Sequence, residues 1–354
     1  MTALTRTPLQ DIEQAVTQVL VAPSAHATKD RAYYQKKAKA EATYKAYRSD
    51  LRDFVSWAGV RFPLPATSGL VIQYLVDRAE TLAPSTLAHR VAALSFVHRT
   101  LGFPDPTIDG DVKDVLAGIK RDRREGGWRA NQAPALTLAQ LRRLIDALPL
   151  IPALPGDKGY VAYLRDLRDR AFILTGIVGG FRQSELSQLC VEQGKAVDGG
   201  MVFTFGITKT DQTGDHVKYK ALPAVHGSYC PVSALRAWTD ETNLTAGALF
   251  RGINRHDQLL DTGLSHTTAN RILQTRAQRA GLDNASAYSI HSLRASFVTI
   301  LRGLEVPDPL IARQTHHTNL ATLSVYDRPE QAMHGSPAQR LVAAMAATVG
   351  EDRN

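Results

Sequence analysis

The chain has 354 residues, 44% of them hydrophobic and 21% charged; this excludes a mainly disordered chain and, at roughly 150 residues per domain, suggests two domains. Forty-two Lys and Arg against 34 Asp and Glu leave a formal net charge of +8, so an anionic partner is expected, nucleic acid ahead of a membrane surface. No apolar stretch approaches the ~18 residues of a membrane span, the first residues carry acids where a secretion signal needs an apolar core, and two cysteines, Cys190 and Cys230, are too few for a disulfide framework or a four-cysteine zinc site; the expected setting is the reducing cytoplasm, beside the nucleoid or chromosome.

Residues 1–34 read as an N-terminal extension with one short helical pattern, Leu9 to Val21. An Ala/Lys-rich stretch follows, in which Lys36, Lys37 and Lys39 are candidate phosphate contacts. From Ala40 to Ala58, Tyr44, Tyr47, Leu51, Phe54 and Val55 recur at helical spacing, and Pro63 and Pro65 end the pattern. Thr67 is placed to cap a second helix through Val71, Leu75 and Val76, and Pro84-Ser85 opens a third with Leu87, Val91, Leu94 and Val97 on one face. With a fourth helix from Asp109 to Ile119, the spacing predicts a compact all-α domain over 35–120.

The segment KRDRREGGWRANQAP differs. Arg121, Arg123, Arg124 and Arg129 outnumber its acids, and Gly126, Gly127 and Pro134 argue against a continuous helix, so 121–134 reads as a basic linker with DNA contacts. The second domain, 135–335, opens with Thr137 capping a helix striped by Leu141, Leu144 and Ile145. A longer helix runs from Val161 to Val178. Alternating segments at 201–207 and 216–222, around KTDQTGD, predict a hairpin. Helical patterns follow at 232–241, 265–280, 289–302, 306–314, 319–327 and 336–348. The expected fold class is mainly α with one small antiparallel β-sheet, in two domains.

Several familiar chemistries are missing: no Gly-rich dinucleotide fingerprint, no phosphate loop, no GxSxG elbow and no HExxH helix. His316-His317 invites a metal, but neighbours on a helix point about 100° apart and no Cys or acid partner stands at ligand spacing; no metal or cofactor is expected. The residues left over are basic or hydroxylic. Arg182 lies in VGGFRQSEL with Glu185 one helical turn on, placed to orient the guanidinium. Arg294 lies in SIHSLRASF with His291 on the same helix face. QTHHTNLATLSVYDR offers His316, His317 and Tyr326, and Lys209 stands at the hairpin tip. Singly, each has an ordinary explanation as a surface ion pair, a core histidine or a packing tyrosine.

In this order and spacing the residues resemble the tyrosine recombinase, or phage integrase, family. GGFRQSEL matches its first arginine box, HSLR its HxxR box, HHTNLATLSVY its GHxxxxxTxxY box, and Lys209 its hairpin lysine. His317 lies nine residues before Tyr326, as that pattern requires, so His317 rather than His316 takes the third basic position. One departure is visible: His316 stands where the family usually has Gly. The resemblance implies a two-domain DNA clamp, with 35–120 as a SAM-like helical core-binding domain and 135–335 as the catalytic domain. It also implies a 3′-phosphotyrosyl link at Tyr326, a free 5′-hydroxyl, a Holliday junction, and a tetramer on DNA in which the terminal helix, within 336–354, enters a neighbouring subunit.

The chemistry agrees. A phenol with a pKa near 10 is a weak nucleophile at neutral pH and needs stabilised charge on the phosphorane transition state. Arginine forks match phosphate oxygens and stay charged, which suits Arg182 and Arg294. His291 and His317 can move protons or hydrogen-bond the phosphate, and Lys209 can protonate the leaving 5′ oxygen. The competing expectations are a relaxing topoisomerase or telomere resolvase with the same attack, and a DNA-binding regulator that keeps the fold without the chemistry.

Overall fold

The computed structural model describes residues 29, 33–34, 40–59, 64–129, 132–205, 218–254 and 258–326. The pattern at Leu9 to Val21, Lys36, Lys37, Lys39, Lys209 and the terminal helix expected at 336–348 lie outside them. The chain forms two compact units, Met1–Asn131 and Gln132–Asn354.

The described part of the first unit is helical. Helix α1, Glu41–Ala58, buries Tyr44, Tyr47, Leu51 and Phe54, the stripe the spacing predicts. Helix α2, Ser68–Arg78, is capped by Thr67, whose Oγ1 accepts the Leu70 N–H at 3.2 Å. Helix α3, Pro84–Leu101, begins on a proline and ends at Gly102 in the left-handed conformation. Helix α4, Gly110–Glu125, is capped by Asp109. Val71, Tyr74, Leu75, Leu87, Leu94 and Val97 form the sealed centre of this unit. His98 sits among them as a neutral ring: Nδ1–H donates to the Leu94 carbonyl and Nε2 accepts the Ala66 N–H, both at 2.8 Å.

Here the basic run departs from expectation. Helix α4 continues past Ile119 to Glu125, so Arg121, Arg123 and Arg124 lie on a helix and not in a linker. Its first breaker is Gly126, and Arg123 and Arg124 in the last turn favour the negative end of the helix dipole. Arg123 also pairs with Glu80 of α2's trailing turn at 3.2 Å. Arg121, Arg124 and Arg129 are exposed.

The second unit is built around helix α6, Tyr160–Gly179, which is buried on nearly every side along its second half. Ahead of it, α5, Leu138–Asp146, carries the expected Thr137 cap. The short α7, Gln183–Ser187, follows. Strands β1, Gly194–Val197, β2, Gly200–Phe205, and β3, Lys218–Pro223, form an antiparallel sheet in that order, with Phe203 opposite Lys220. Helix α8, Pro231–Glu241, packs on α6 and carries the fully buried Trp238, whose indole N–H donates to the Leu249 carbonyl at 2.8 Å. A second pair, β4, Arg251–Ile253, and β5, Leu259–Gly263, leads to α9, His266–Arg279, α10, Ile290–Gly303, α11, Asp308–Thr315, and a 3-10 segment, Leu320–Tyr326.

Two small sheets are therefore present among the described residues where one was expected. Strand β1 is mostly exposed, and three-residue β4 is half-buried throughout, so neither shows the alternation that marks a strand. The segment expected as a helix at 319–327 is the 3-10 segment.

Candidate active site

Four stretches of the second unit converge on one cluster of side chains. The first is the turn after α6. Gly180 is left-handed, with φ 55° and ψ 37°. A Cβ there would stand 2.9 Å from the Phe297 ring and 3.0 Å from the Thr315 methyl, so backbone conformation and crowding both call for glycine. The turn delivers Arg182 to the start of α7. Its guanidinium donates to Glu185 Oε1 and to the His316 carbonyl, each at 2.7 Å. Glu185 Oε2 in turn accepts the Arg182 backbone N–H at 2.9 Å. The i,i+3 spacing read from the sequence thus orients the side chain and closes the helix start together.

Arg294, on α10, is 2% exposed. Nη1–H donates to the Gly180 carbonyl at 2.6 Å and Nη2–H to the Thr315 carbonyl at 2.7 Å. Nη2 also lies 3.0 Å from His317 Nε2. Burial pulls its pKa below the ordinary arginine value, and Tyr326 opposes that pull.

The third stretch is His316-His317, at the end of α11. His316 is left-handed, with φ 57° and ψ 46°, which is the conformation glycine adopts most cheaply. The turn forms with histidine because the ring finds partners: Nε2–H donates to the Tyr219 carbonyl of β3 at 3.0 Å, and the ring meets Phe205 of β2 edge-on. Burial, then Lys220, lowers its pKa to about 4. His317 is neutral as well: burial, then Arg294 and Arg182, lower its pKa to about 3. Its tautomer follows from its neighbour. The Thr315 hydroxyl donates to the Ile311 carbonyl at 2.7 Å, so it accepts from His317 Nδ1–H, also at 2.7 Å. Nε2 is left as the acceptor facing Arg294.

The fourth stretch carries Tyr326, which is 6% exposed and packs with Val298, Ile311 and Leu323. Its ring centroid is 5.8 Å from His317 and 6.1 Å from His291. The 3-10 segment is held by Arg302, which pairs with Asp308 at 2.6 Å and donates to the Leu323 carbonyl at 3.1 Å. His291, exposed at the start of α10, thus reaches the cluster from the solvent side. Arg182, Glu185, Arg294, His291, His317 and Tyr326 all meet here.

One participant escaped the sequence reading. Lys220 of β3 is 0% exposed and lies 3.8 Å from Glu185 Oε2. Burial, with Arg294 and Arg182 adding to it and Glu185 opposing, lowers its pKa to about 7. The available signal was strand alternation: Lys220 shares a face with Leu222, and both are buried. Glu185 is pushed up by burial, but Lys220 and Arg182 more than offset this and hold its carboxyl below the usual range.

Two guanidiniums, a neutral imidazole and a phenol in one cluster make a set of groups suited to a phosphodiester flanked by a nucleophile. The fold is shared with the recombinase XerH bound to its difH substrate, at 15% identity over 95% of this chain and 93% of that one, TM-score 0.57. It is shared too with a lambda integrase tetramer bound to a Holliday junction, at 14% identity over 90% and 83%, TM-score 0.51. Residues 136–333 match the model of the phage integrase family. The chain is 33% identical to an integrase/recombinase XerD homolog of Selenomonas ruminantium, over 79% of its own length and 80% of the relative's. It is 28% identical to the recombinase Cre of Escherichia phage P1 over half of each chain. The chain belongs to the phage integrase family of tyrosine recombinases.

Proposed function

We propose that this chain is a site-specific recombinase that cuts and rejoins duplex DNA through a 3′-phosphotyrosyl intermediate at Tyr326 and a Holliday junction. The convergence of Arg182, Arg294, His317 and Tyr326 in one unit carries the reading. Tyr326 attacks the phosphorus, and the 5′ oxygen leaves as a hydroxyl after taking a proton. Arg182 and Arg294 hold the non-bridging oxygens as charge grows on the phosphorane. His291, at the exposed rim beside Tyr326, takes the phenolic proton, and His317, neutral with Nε2 facing Arg294, helps hold that guanidinium in place. Lys209, in the β2–β3 connection, protonates the leaving oxygen. The arginines provide the positive charge a metal would otherwise supply, so the reaction is metal-independent.

Duplex DNA is the proposed partner, held by phosphate contacts from Arg121, Arg123, Arg124 and Arg129 and from Lys36, Lys37 and Lys39; the affinity falls steeply with salt. The working assembly is a tetramer linked by exchange of the terminal helix within 336–354. DNA-bound XerH and the lambda integrase tetramer on a Holliday junction, which share the fold, support the DNA partner and the tetramer.

The test recovers DNA covalently trapped on the protein, places that sequence twice on one plasmid, and looks for deletion or inversion. Recombinant product supports the recombinase. Relaxation of single-site plasmid without recombinants would point to the topoisomerase alternative, and binding without cleavage to a silent regulator.

A further inference from the structure

We infer that Lys220 is a positioning residue which fixes the backbone carbonyls that hold Arg182 and Arg294 in place, an inference that rests on the recombinase reading of the site. Its Nζ donates to the carbonyls of Gly179 at 3.2 Å, Gly180 at 3.2 Å and Gln314 at 2.7 Å. An ammonium has three N–H donors, and these acceptors account for all of them. Arg294 uses the Gly180 and Thr315 carbonyls, and Arg182 uses that of His316. Two backbone runs, 179–180 and 314–316, are therefore cross-tied by three cations, with Gly180 shared between Lys220 and Arg294.

Glu185 repeats the sharing from the other side, since it binds Arg182 and lies within ion-pair distance of Lys220. The Phe181 ring lies 5.1 Å from the ammonium and closes its apolar flank. A buried cation with every proton donated to main chain cannot reach a DNA oxygen. Its effect on cleavage runs through the arginines, and that separates it from Lys209.

The experiment measures single-turnover cleavage of a nicked duplex carrying the trapped sequence, with protein saturating, alongside DNA affinity and melting. Lys220→Met keeps the bulk and removes the donors; Lys220→Gln keeps one donor and carries the same test if the Met variant does not fold. Either is expected to cut at least about tenfold more slowly, with affinity changed by less than about threefold. Lys220→Arg, which keeps the charge and its donors, is expected to recover most of the rate.

Combined with Arg294→Lys, Lys220→Met should cost clearly less than the product of the two single losses, because the part of its effect that runs through Arg294 is already gone and only the part through Arg182 remains. A merely structural lysine would lower the active fraction without changing the rate constant, and its losses would multiply with those of Arg294→Lys. Either result, or a Lys220→Met variant cutting within about threefold of wild type, overturns the inference while wild-type cleavage still upholds the recombinase. No adduct from wild type would refute the recombinase reading, and this role with it.

Discussion

Arg294→Lys separates the guanidinium's geometry from its charge. Arg294 reaches the Gly180 carbonyl, the Thr315 carbonyl and His317 Nε2 from a side chain that is 2% exposed. Lysine has no fork: its donors radiate from one nitrogen, whereas these acceptors are served by two separate nitrogens of the guanidinium. Each hydrogen bond to a charged group contributes about 1.5–3 kcal/mol, so losing two would cost roughly 3–6 kcal/mol in a rigid site. Lys220 still serves the Gly180 carbonyl, which brings the expected loss to roughly 2–3 kcal/mol. For a unit of this size that is a melting point lower by about 5–10 °C. Loss of one preorganised donor pair at the phosphorane should slow cleavage by about 100–1,000-fold. Affinity, spread over many phosphates, should change less than about twofold. Calorimetric melting and single-turnover cleavage at saturating protein read the two effects separately. Affinity and cleavage falling by one common factor would make Arg294 an ordinary DNA contact and refute the reasoning.

Acid should destabilise the second unit through its two histidines. His316 and His317 titrate near 4 and 3 in the folded chain, below the ~6.5 of an unfolded histidine, so the unfolded state gains protons the folded state refuses as pH falls below ~6.5. Each ring would remove up to about 2 kcal/mol by pH 5; solvent access halves that, leaving roughly 2 kcal/mol for the pair. His317→Asn should flatten the pH dependence of melting, and an unchanged slope would contradict the assignment. Lys209→Ala should lose cleavage of ordinary DNA but regain it on a substrate with sulfur at the bridging 5′ position, because a thiolate leaves without a proton; no regain would remove Lys209 as the general acid. Truncation from Ser336 onward should leave melting and single half-site binding intact while cooperative filling of paired half-sites and recombination fall sharply. A much lower melting point would place the helix on its own unit instead.

Most helices were legible in the sequence because their stripes are amphipathic and their caps explicit, as at Thr67 and Thr137. The six residues of the candidate site that the structure describes were picked out by the resemblance of their short local boxes to the family's, each box being a local run of sequence. What joins the boxes was not. Lys220, the carbonyls at 179–180 and 314–316, and the Arg302–Leu323 tie are long-range relations, and the main-chain groups among them carry no side-chain signal. Helix α4 ran past its expected end because charged residues in a last turn are helix-compatible, and the glycines after Glu125 mark where it stops. His316 shows the reverse case: a residue that argues against a left-handed turn, held there by β3.

In the proposed reaction Tyr326 becomes covalently joined to DNA. The direct measurement incubates the full chain with nicked duplex of the trapped sequence in excess chelator, digests the adduct, and locates the modified residue by mass spectrometry. The expected result is a 3′-phosphonucleotide on Tyr326 with a free 5′-hydroxyl on the other strand end, and no adduct from Tyr326→Phe, which still binds. An adduct that survives in Tyr326→Phe, sits on Tyr288 or another residue, or requires added Mg²⁺ would contradict it.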